Sequence, residues 1–232
     1  MKFAVIIPTY QREDGNTPML LRRALASVFA QTHQDFIVMV AGDNYENAAE
    51  FNGILASYPD ARLKSFNLPV AVEREKYKGD PEKIWCNGGC YATNLAVDMV
   101  SALGCEWICR LDHDDRWLPN HLAVLDEAIQ NTKGVWFCTL ALAQSGDVIL
   151  PKIDGKEPYV PFLPKPGGIF YSSVCFNVRY VPIREQDSGG TPGDYAKWQR
   201  MATFIKMQNM ESFCINKLTC IYGEGGYERN KK

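Results

Sequence analysis

Phe3, Ala4, Val5, Ile6 and Ile7 form an unbroken apolar run that Pro8 closes. A strand without polar alternation has no face to give to water, so it belongs inside a sheet covered on both sides. The pattern recurs at residues 36–41, which stop at Gly42-Asp43-Asn44, and more weakly at 62–66 and 105–109. Between these runs, residues 19–31 set Leu20, Leu21, Ala24, Leu25 and Val28 on one helical face, and 46–58 and 90–103 also read as helices. Strand, helix, strand, helix, strand predicts an α/β chain with a Rossmann-like, mostly parallel central sheet flanked by helices.

Residues 67–85 interrupt the rhythm with charges, Pro69, Gly79 and Pro81, and read as an ordered excursion or a mobile loop. Further on, 119–131 is a helix with Leu122, Leu125 and Ile129 in register, and 135–142 is a strand. Ser145-Gly146-Asp147 reads as a hairpin turn into 148–150, and 151–168 as a Pro-, Gly- and Lys-rich surface loop. A strand over 169–178 and a connection over 180–193 follow. A helix then opens at Gly193-Asp194 and carries Tyr195, Trp198, Met201, Ala202 and Ile205 along one face. Residues 213–222 form a last strand, before a polar, loose tail over 223–232.

With 232 residues, 46% of them hydrophobic, the chain can bury a core as a single domain over 1–232. Its formal charge of −2 gives no electrostatic reason to expect nucleic acid or a membrane surface as partner. No apolar run reaches the ~18 residues of a spanning helix, and the short N-terminal run does not make a signal peptide. A soluble, cytoplasmic protein is expected. The eight cysteines then read as reduced, mostly buried thiols. The two C-x-x-x-C spacings, Cys86 with Cys90 and Cys105 with Cys109, leave zinc as the lesser alternative.

Chemistry concentrates in Arg110-Leu111-Asp112-His113-Asp114-Asp115-Arg116-Trp117, at the end of a strand. Three carboxylates within four residues repel one another, so the fold tolerates them best with a cation or a set of hydrogen-bond donors between them. A divalent metal is one reading. A solvated acidic turn that caps the next helix with Asp114 or Asp115 is the other. Ligands of an open parallel sheet collect beyond the carboxyl ends of its strands. The loops with Thr9, Tyr10 and Arg12, with Asp43, and with Asp112, Asp114 and Asp115 all leave such ends, and they predict one cleft.

Five segments in order carry a resemblance: Val5-Ile6-Ile7-Pro8-Thr9-Tyr10-Gln11-Arg12, Leu21-Arg22-Arg23-Ala24-Leu25-Ala26-Ser27-Val28-Phe29-Ala30-Gln31-Thr32, the strand ending Gly42-Asp43-Asn44, Ala92-Thr93-Asn94, and Leu111-Asp112-His113-Asp114-Asp115. Together they resemble the family 2 inverting glycosyltransferases with the GT-A fold. In the second half the likeness thins to Gly193-Asp194-Tyr195-Ala196-Lys197-Trp198, similar to the acidic residue and tryptophan that open the family's catalytic-base helix.

The resemblance implies transfer of a sugar from a nucleoside diphosphate, a UDP-sugar first, to a glycan or other acceptor hydroxyl, with inversion. It makes 1–117 the nucleotide-sugar-binding half and 118–232 the smaller acceptor-side half. Pro8, Thr9 and Tyr10 would meet the base, Arg12 the base or the phosphates, and Asp43 a polar atom of base or ribose. Many members carry two acidic residues where this chain has Gly42-Asp43. Asn94 would line the cleft. Asp112 would face ribose, diphosphate and metal, and Asp114 would reach the Mn²⁺ or Mg²⁺; a one-residue shift would let Asp115 replace either. His113 would belong to the same donor-binding turn, its side chain outward and not on the metal. Asp194 would be the general base, with Asp187 and Glu185 as nearby rivals. Either Glu224 would stand in for the histidine that relatives with a third protein ligand often carry, or the metal would keep an extra water. Phe170 and Tyr171 would either line the acceptor side or only alternate across a strand. Two other classes share such a sheet: a nucleotidyltransferase, and a catalytically silent carbohydrate-binding module.

Overall fold

The structure is a computed structural model, and it describes residues 2–144 and 148–223. β1 (Phe3–Thr9) and β2 (Phe36–Gly42) are buried at every position, as their unbroken apolar runs require. β1 pairs in parallel with β2 on one side and with β4 (Trp107–Arg110) on the other, and β2 pairs in parallel with β3 (Leu63–Asn67). Alternate residues of β1 feed two layers. Phe3, Val5 and Ile7 pack with Leu21, Ala24, Leu25 and Val28 of α1 (Thr17–Phe29) and with Phe51 and Ile54 of α2 (Ala48–Ala56). Ala4 and Ile6 face Ala92, Ala96, Val97 and Val100 of α5 (Cys90–Ala102). Each large side chain so buried contributes about 1.5–3 kcal/mol.

Residues 67–85 are neither a coil nor a loose loop. They hold α3 (Val72–Lys76) and α4 (Pro81–Asn87). α4 starts where it does because the Asp80 side chain accepts from the Lys83 amide and Pro81 sits at the first turn, needing no amide partner.

The second half departs more from expectation. The strand expected over 169–178 shrinks to β9 (Val174–Asn177), preceded by a 3-10 turn over Tyr171–Ser173. β9 lies antiparallel between β4 and β6 (Gly134–Ala143). β10 (Glu211–Tyr222) runs parallel to β6, with register shifts around Leu218. Beyond them it pairs antiparallel with the short β5 (Arg116–Trp117). β8 (Tyr159–Pro161) forms an edge pair with β10 inside the stretch expected to be loop. β7 (Ile149–Leu150) returns antiparallel onto β6, as a hairpin would, while the turn residues 145–147 lie outside the described residues. The sheet order is β3-β2-β1-β4-β9-β6-β10-β5. Its long pairs are parallel, and its short insertions are antiparallel.

α6 (His121–Asn131) begins after β5, with Asn120 as its N-cap, so the acidic run does not cap it. α7 (Gly193–Met207) packs Trp198, Met201 and Ile205 under the sheet. All eight cysteines are free and buried, and among the described residues no three His, Cys, Asp or Glu side chains gather. No helix among the described residues is long and apolar enough to cross a membrane.

Candidate active site

The parallel register brings the expected loops together at one end of the sheet. Thr9 pairs with Gly42, the Asp43 amide donates to the Thr9 carbonyl at 2.8 Å, and the Leu111 amide donates to the Ile6 carbonyl at 2.9 Å. Tyr10 meets the His113 ring edge-on at 5.6 Å. Arg12 Nη1 lies 3.3 Å from Asp114 Oδ2 and Nη2 lies 2.7 Å from Asp14. Thr9 is buried beside them.

Asp43 is buried, and its Oδ2 accepts from Arg74 Nε at 3.0 Å. The same guanidinium lies 3.6 Å over the Tyr10 ring. Burial pushes the Asp43 pKa up, with Arg74 opposing it. Arg74 escaped the sequence reading, because its partners are distant in the chain; its place on α3 gave no signal. Gly42 also gains a reason. A Cβ there would collide with the Asn67 side chain, which holds both the amide and the carbonyl of Tyr45, so a second acidic residue does not fit.

The acidic run is neutralised one carboxylate at a time. Asp112 Oδ1 accepts from Arg110 Nε at 2.7 Å, and the Asp112 amide donates to Ser172 Oγ. Asp114 turns to Arg12. Asp115 is fully buried, accepting from Ser172 Oγ and from the Gly223 amide at 2.7 Å. Burial first, and then Asp114 and Asp112, raise its pKa well above the carboxylate range. Asp115 is therefore a sealed structural acid, not an exchangeable ligand or a solvated turn. His113 also differs from expectation. Its side chain turns inward, with Nδ1 3.4 Å from the Pro8 carbonyl, and burial lowers its pKa against the pull of Asp114 and Asp112.

Asp112 and Asp114 remain partly open to water. Two hard, partly hydrated carboxylates fit Mg²⁺ or Mn²⁺, which take one or two such ligands and complete their shell with water and phosphate oxygens. Glu224 lies outside the described residues.

On the other side, Gly193 brings α7 against the Cys86 carbonyl and the Cys90 sulfur, contacts a side chain would crowd. Asp194 follows, exposed, with Oδ1 accepting from the Tyr195 amide at 2.8 Å. Partial loss of hydration raises its pKa, the Tyr195 amide and Arg110 oppose, and Asp112 and Glu185 add to the rise. Its rivals are engaged elsewhere. Asp187 is bound by Lys76 and by the Tyr77 hydroxyl, which outweigh burial and lower its pKa. Glu185 is buried and bound by Arg110 and Tyr171. Asn94 spends its amide on the Glu185 backbone, donating to the carbonyl and accepting from the N–H. Asn87 does similar work for Ser188 and Gly189.

Tyr171 belongs to this buried group and not to an acceptor wall. Phe170 stacks on Tyr222 at 4.0 Å. Partial loss of hydration raises the Tyr222 pKa, and Asp115, Asp112, Asp114 and Asp194 add to the rise, although the ring is exposed.

A mostly parallel sheet flanked by helices, with the loops of Thr9, Asp43 and the acidic run at one end, is the architecture of the GT-A class. Solved structures of that class share the fold. Staphylococcus aureus TarS 1–349 in complex with UDP superposes with a TM-score of 0.71 at 16% identity, over 95% of this chain and 60% of that one. The mannosyltransferase PcManGT from Pyrobaculum calidifontis, in complex with GDP-Man and Mn²⁺, gives 0.60 at 14% identity, over 94% and 56%. The sequence is 30% identical over 246 residues to the uncharacterized glycosyltransferase R139 of Acanthamoeba polyphaga mimivirus, covering 99% of this chain and 97% of that one. The chain belongs to the GT-A glycosyltransferases. It is also 41% identical over 123 residues to the succinoglycan biosynthesis protein ExoW of Rhizobium meliloti (strain 1021), 52% of this chain but 32% of ExoW. No family model matches.

Proposed function

We propose that the protein moves a sugar from a nucleoside-diphosphate donor, a UDP-sugar first, to an acceptor hydroxyl with inversion, using Asp194 as general base. The observation that carries this reading is geometric: the parallel register gathers the Thr9, Asp43 and Asp112 loops at one end of the sheet, and Arg110 ties Asp112 to Glu185 of the connection that leads into α7 and Asp194. In a single displacement the acceptor oxygen approaches opposite the leaving diphosphate, so the base must be a carboxylate outside the acidic run. Asp194 meets that need. Its raised pKa brings it nearer to the strength a proton acceptor requires, while Asp187 and Glu185 are held as anions by cations.

Tyr10, Arg12, Asp43 and Arg74 would bind the nucleoside, with Pro8 and Thr9 as the loop wall and His113 as the buried support beneath Tyr10. A Mn²⁺ or Mg²⁺ at Asp112 and Asp114 would supply positive charge to the leaving diphosphate. TarS has been solved with UDP and UDP-GlcNAc, and PcManGT with GDP-Man and Mn²⁺, which supports the donor class and the ion. Trp85 and Tyr195 are exposed one and two residues from the contact between Cys86 and Gly193, and planar rings there suit a sugar-bearing acceptor. The reading takes 1–117 as donor half and 118–232 as acceptor-side half of one domain, acting in the cytoplasm.

Incubation with a panel of nucleotide sugars, with Mn²⁺ and with chelator, tests it. Release of nucleoside diphosphate that stops on chelation is expected, and the anomeric configuration of the product, read by NMR, should be inverted. Retention, or equal rates with chelator, would overturn the corresponding part.

A further inference from the structure

Arg110 reaches from the end of β4 to two carboxylates, with Nε 2.7 Å from Asp112 Oδ1 and Nη1 2.7 Å from Glu185 Oε1. That same Glu185 oxygen accepts from the Tyr171 hydroxyl at 2.6 Å and lies 3.6 Å from Lys197 Nζ, which is itself hydrogen-bonded to Tyr171. The Arg110 guanidinium also rests 4.1 Å over the Tyr171 ring. Glu185 cannot drift, because Asn94 of α5 clamps its backbone on both sides. Lys197 lies one helical turn beyond Asp194 on α7 and is 2% exposed. A continuous chain of contacts thus runs from Asp112, through Arg110, Glu185 and Tyr171, to the turn of helix that carries Asp194.

Burying such charges is costly, and well-packed apolar side chains at the same places would be at least as stable. What the charged chain adds is directional. Hydrogen bonds of fixed length between β4, the 3-10 turn, the 180–193 connection and α7 leave little play between Asp112 and the start of the helix. Transfer depends on such alignment, since a misplacement of about 1 Å can cost on the order of 10² in rate.

Resting on the reading of Asp194 as base and Asp112 as donor-side carboxylate, we propose that Glu185 and Lys197 are positioning residues for transfer: acting through Tyr171 and Arg110, they hold the first turn of α7 in line with a donor bound at Asp112. Neither touches substrate. Their loss lowers turnover and spares donor binding.

The test measures transfer kcat, donor KM and the Kd of nucleoside diphosphate with Mn²⁺ for Lys197→Met, Lys197→Arg and Glu185→Gln, beside Asp194→Asn. Lys197→Met and Glu185→Gln should lose roughly tenfold to 10²-fold in kcat, with donor KM and Kd within about twofold. Lys197→Arg, which keeps charge and donors, should recover part of that loss. If Lys197→Met does not fold, Glu185→Gln decides, because its amide still accepts from Tyr171 and Arg110. Full turnover in the folded variants beside an inactive Asp194→Asn would overturn the positioning role alone. A loss confined to donor affinity would overturn it too. A fully active Asp194→Asn would instead remove the reading of the base on which it rests.

Discussion

The two walls of the cleft are built by opposite means. On the wall proposed to bind the donor, Arg12, Asp43 and Asp114 ride on loops that leave apolar strands and Arg74 rides on α3, and they pair so that one partner still reaches water: Arg12 with Asp114, and Arg74 with Asp43. On the other wall Asp194 is exposed, and behind it Glu185, Tyr171 and Lys197 are shut away from solvent, with Arg110 part-buried between them and Asp112. Pairs that touch water can exchange one partner for a ligand at small cost. Buried charges cannot be unpaired so cheaply. Under the proposed reading, the comparison teaches that the wall assigned to the anionic donor is adjustable, and the wall assigned to the base is fixed.

The largest effect expected is at the exposed tip of the fixed wall. Asp194→Asn should lower transfer by on the order of 10² to 10⁴, with melting temperature and nucleoside diphosphate affinity unchanged in calorimetry; near-normal turnover would break the assignment of the two walls. Next comes the interior. Glu185→Ala should cost roughly 3–5 kcal/mol of stability in denaturant unfolding, since it leaves the buried Lys197 without its carboxylate and Tyr171 without its acceptor while Arg110 keeps Asp112, whereas Arg12→Ala on the adjustable wall should cost less. Equal losses would erase the contrast.

Asp115 separates a structural acid from its ligand-like neighbours with a smaller effect. Asp115→Ala should cost about 1–3 kcal/mol by unpairing Ser172 and the Gly223 amide. Asp115→Asn, matching the neutral acid, should stay close to wild type. A folded-state pKa raised above the unfolded one gives stability that is present below the unfolded value and lost as pH rises through the folded value. Wild type should therefore lose stability relative to Asp115→Asn as pH climbs above the carboxylate range, and parallel melting curves would argue against it. Smallest is a displacement of a pH limb. Because the Asp194 pKa is raised, transfer should fall with decreasing pH at a midpoint above the ordinary carboxylate value of 3.8, and the limb should vanish in Asp194→Asn.

Much of the adjustable wall was legible in the sequence because its causes are local. The Phe3-to-Ile7 run, Gly42-Asp43 and the Asp112-to-Asp115 run each announce a strand end, and the parallel register does the rest. The helix at Pro81 was legible too, from Asp80 before proline, had the charges of 67–85 not argued for a loop. The fixed wall was not. Lysine and glutamate are ordinarily surface residues, and nothing near Glu185 or Lys197 in the chain signals that both are buried against Arg110. The inward turn of His113 and the antiparallel insertion of β9 between β4 and β6 likewise depend on partners many residues away.

The path of β10 has a practical side. It delivers the chain to Gly223, whose amide is bonded to Asp115 at the floor of the cleft, while β1 begins at Phe3 on the opposite rim of the sheet. A label introduced at position 223 would therefore sit against the acidic run and disturb it, whereas one at Lys2, exposed at the start of β1, would report on the protein from the far rim.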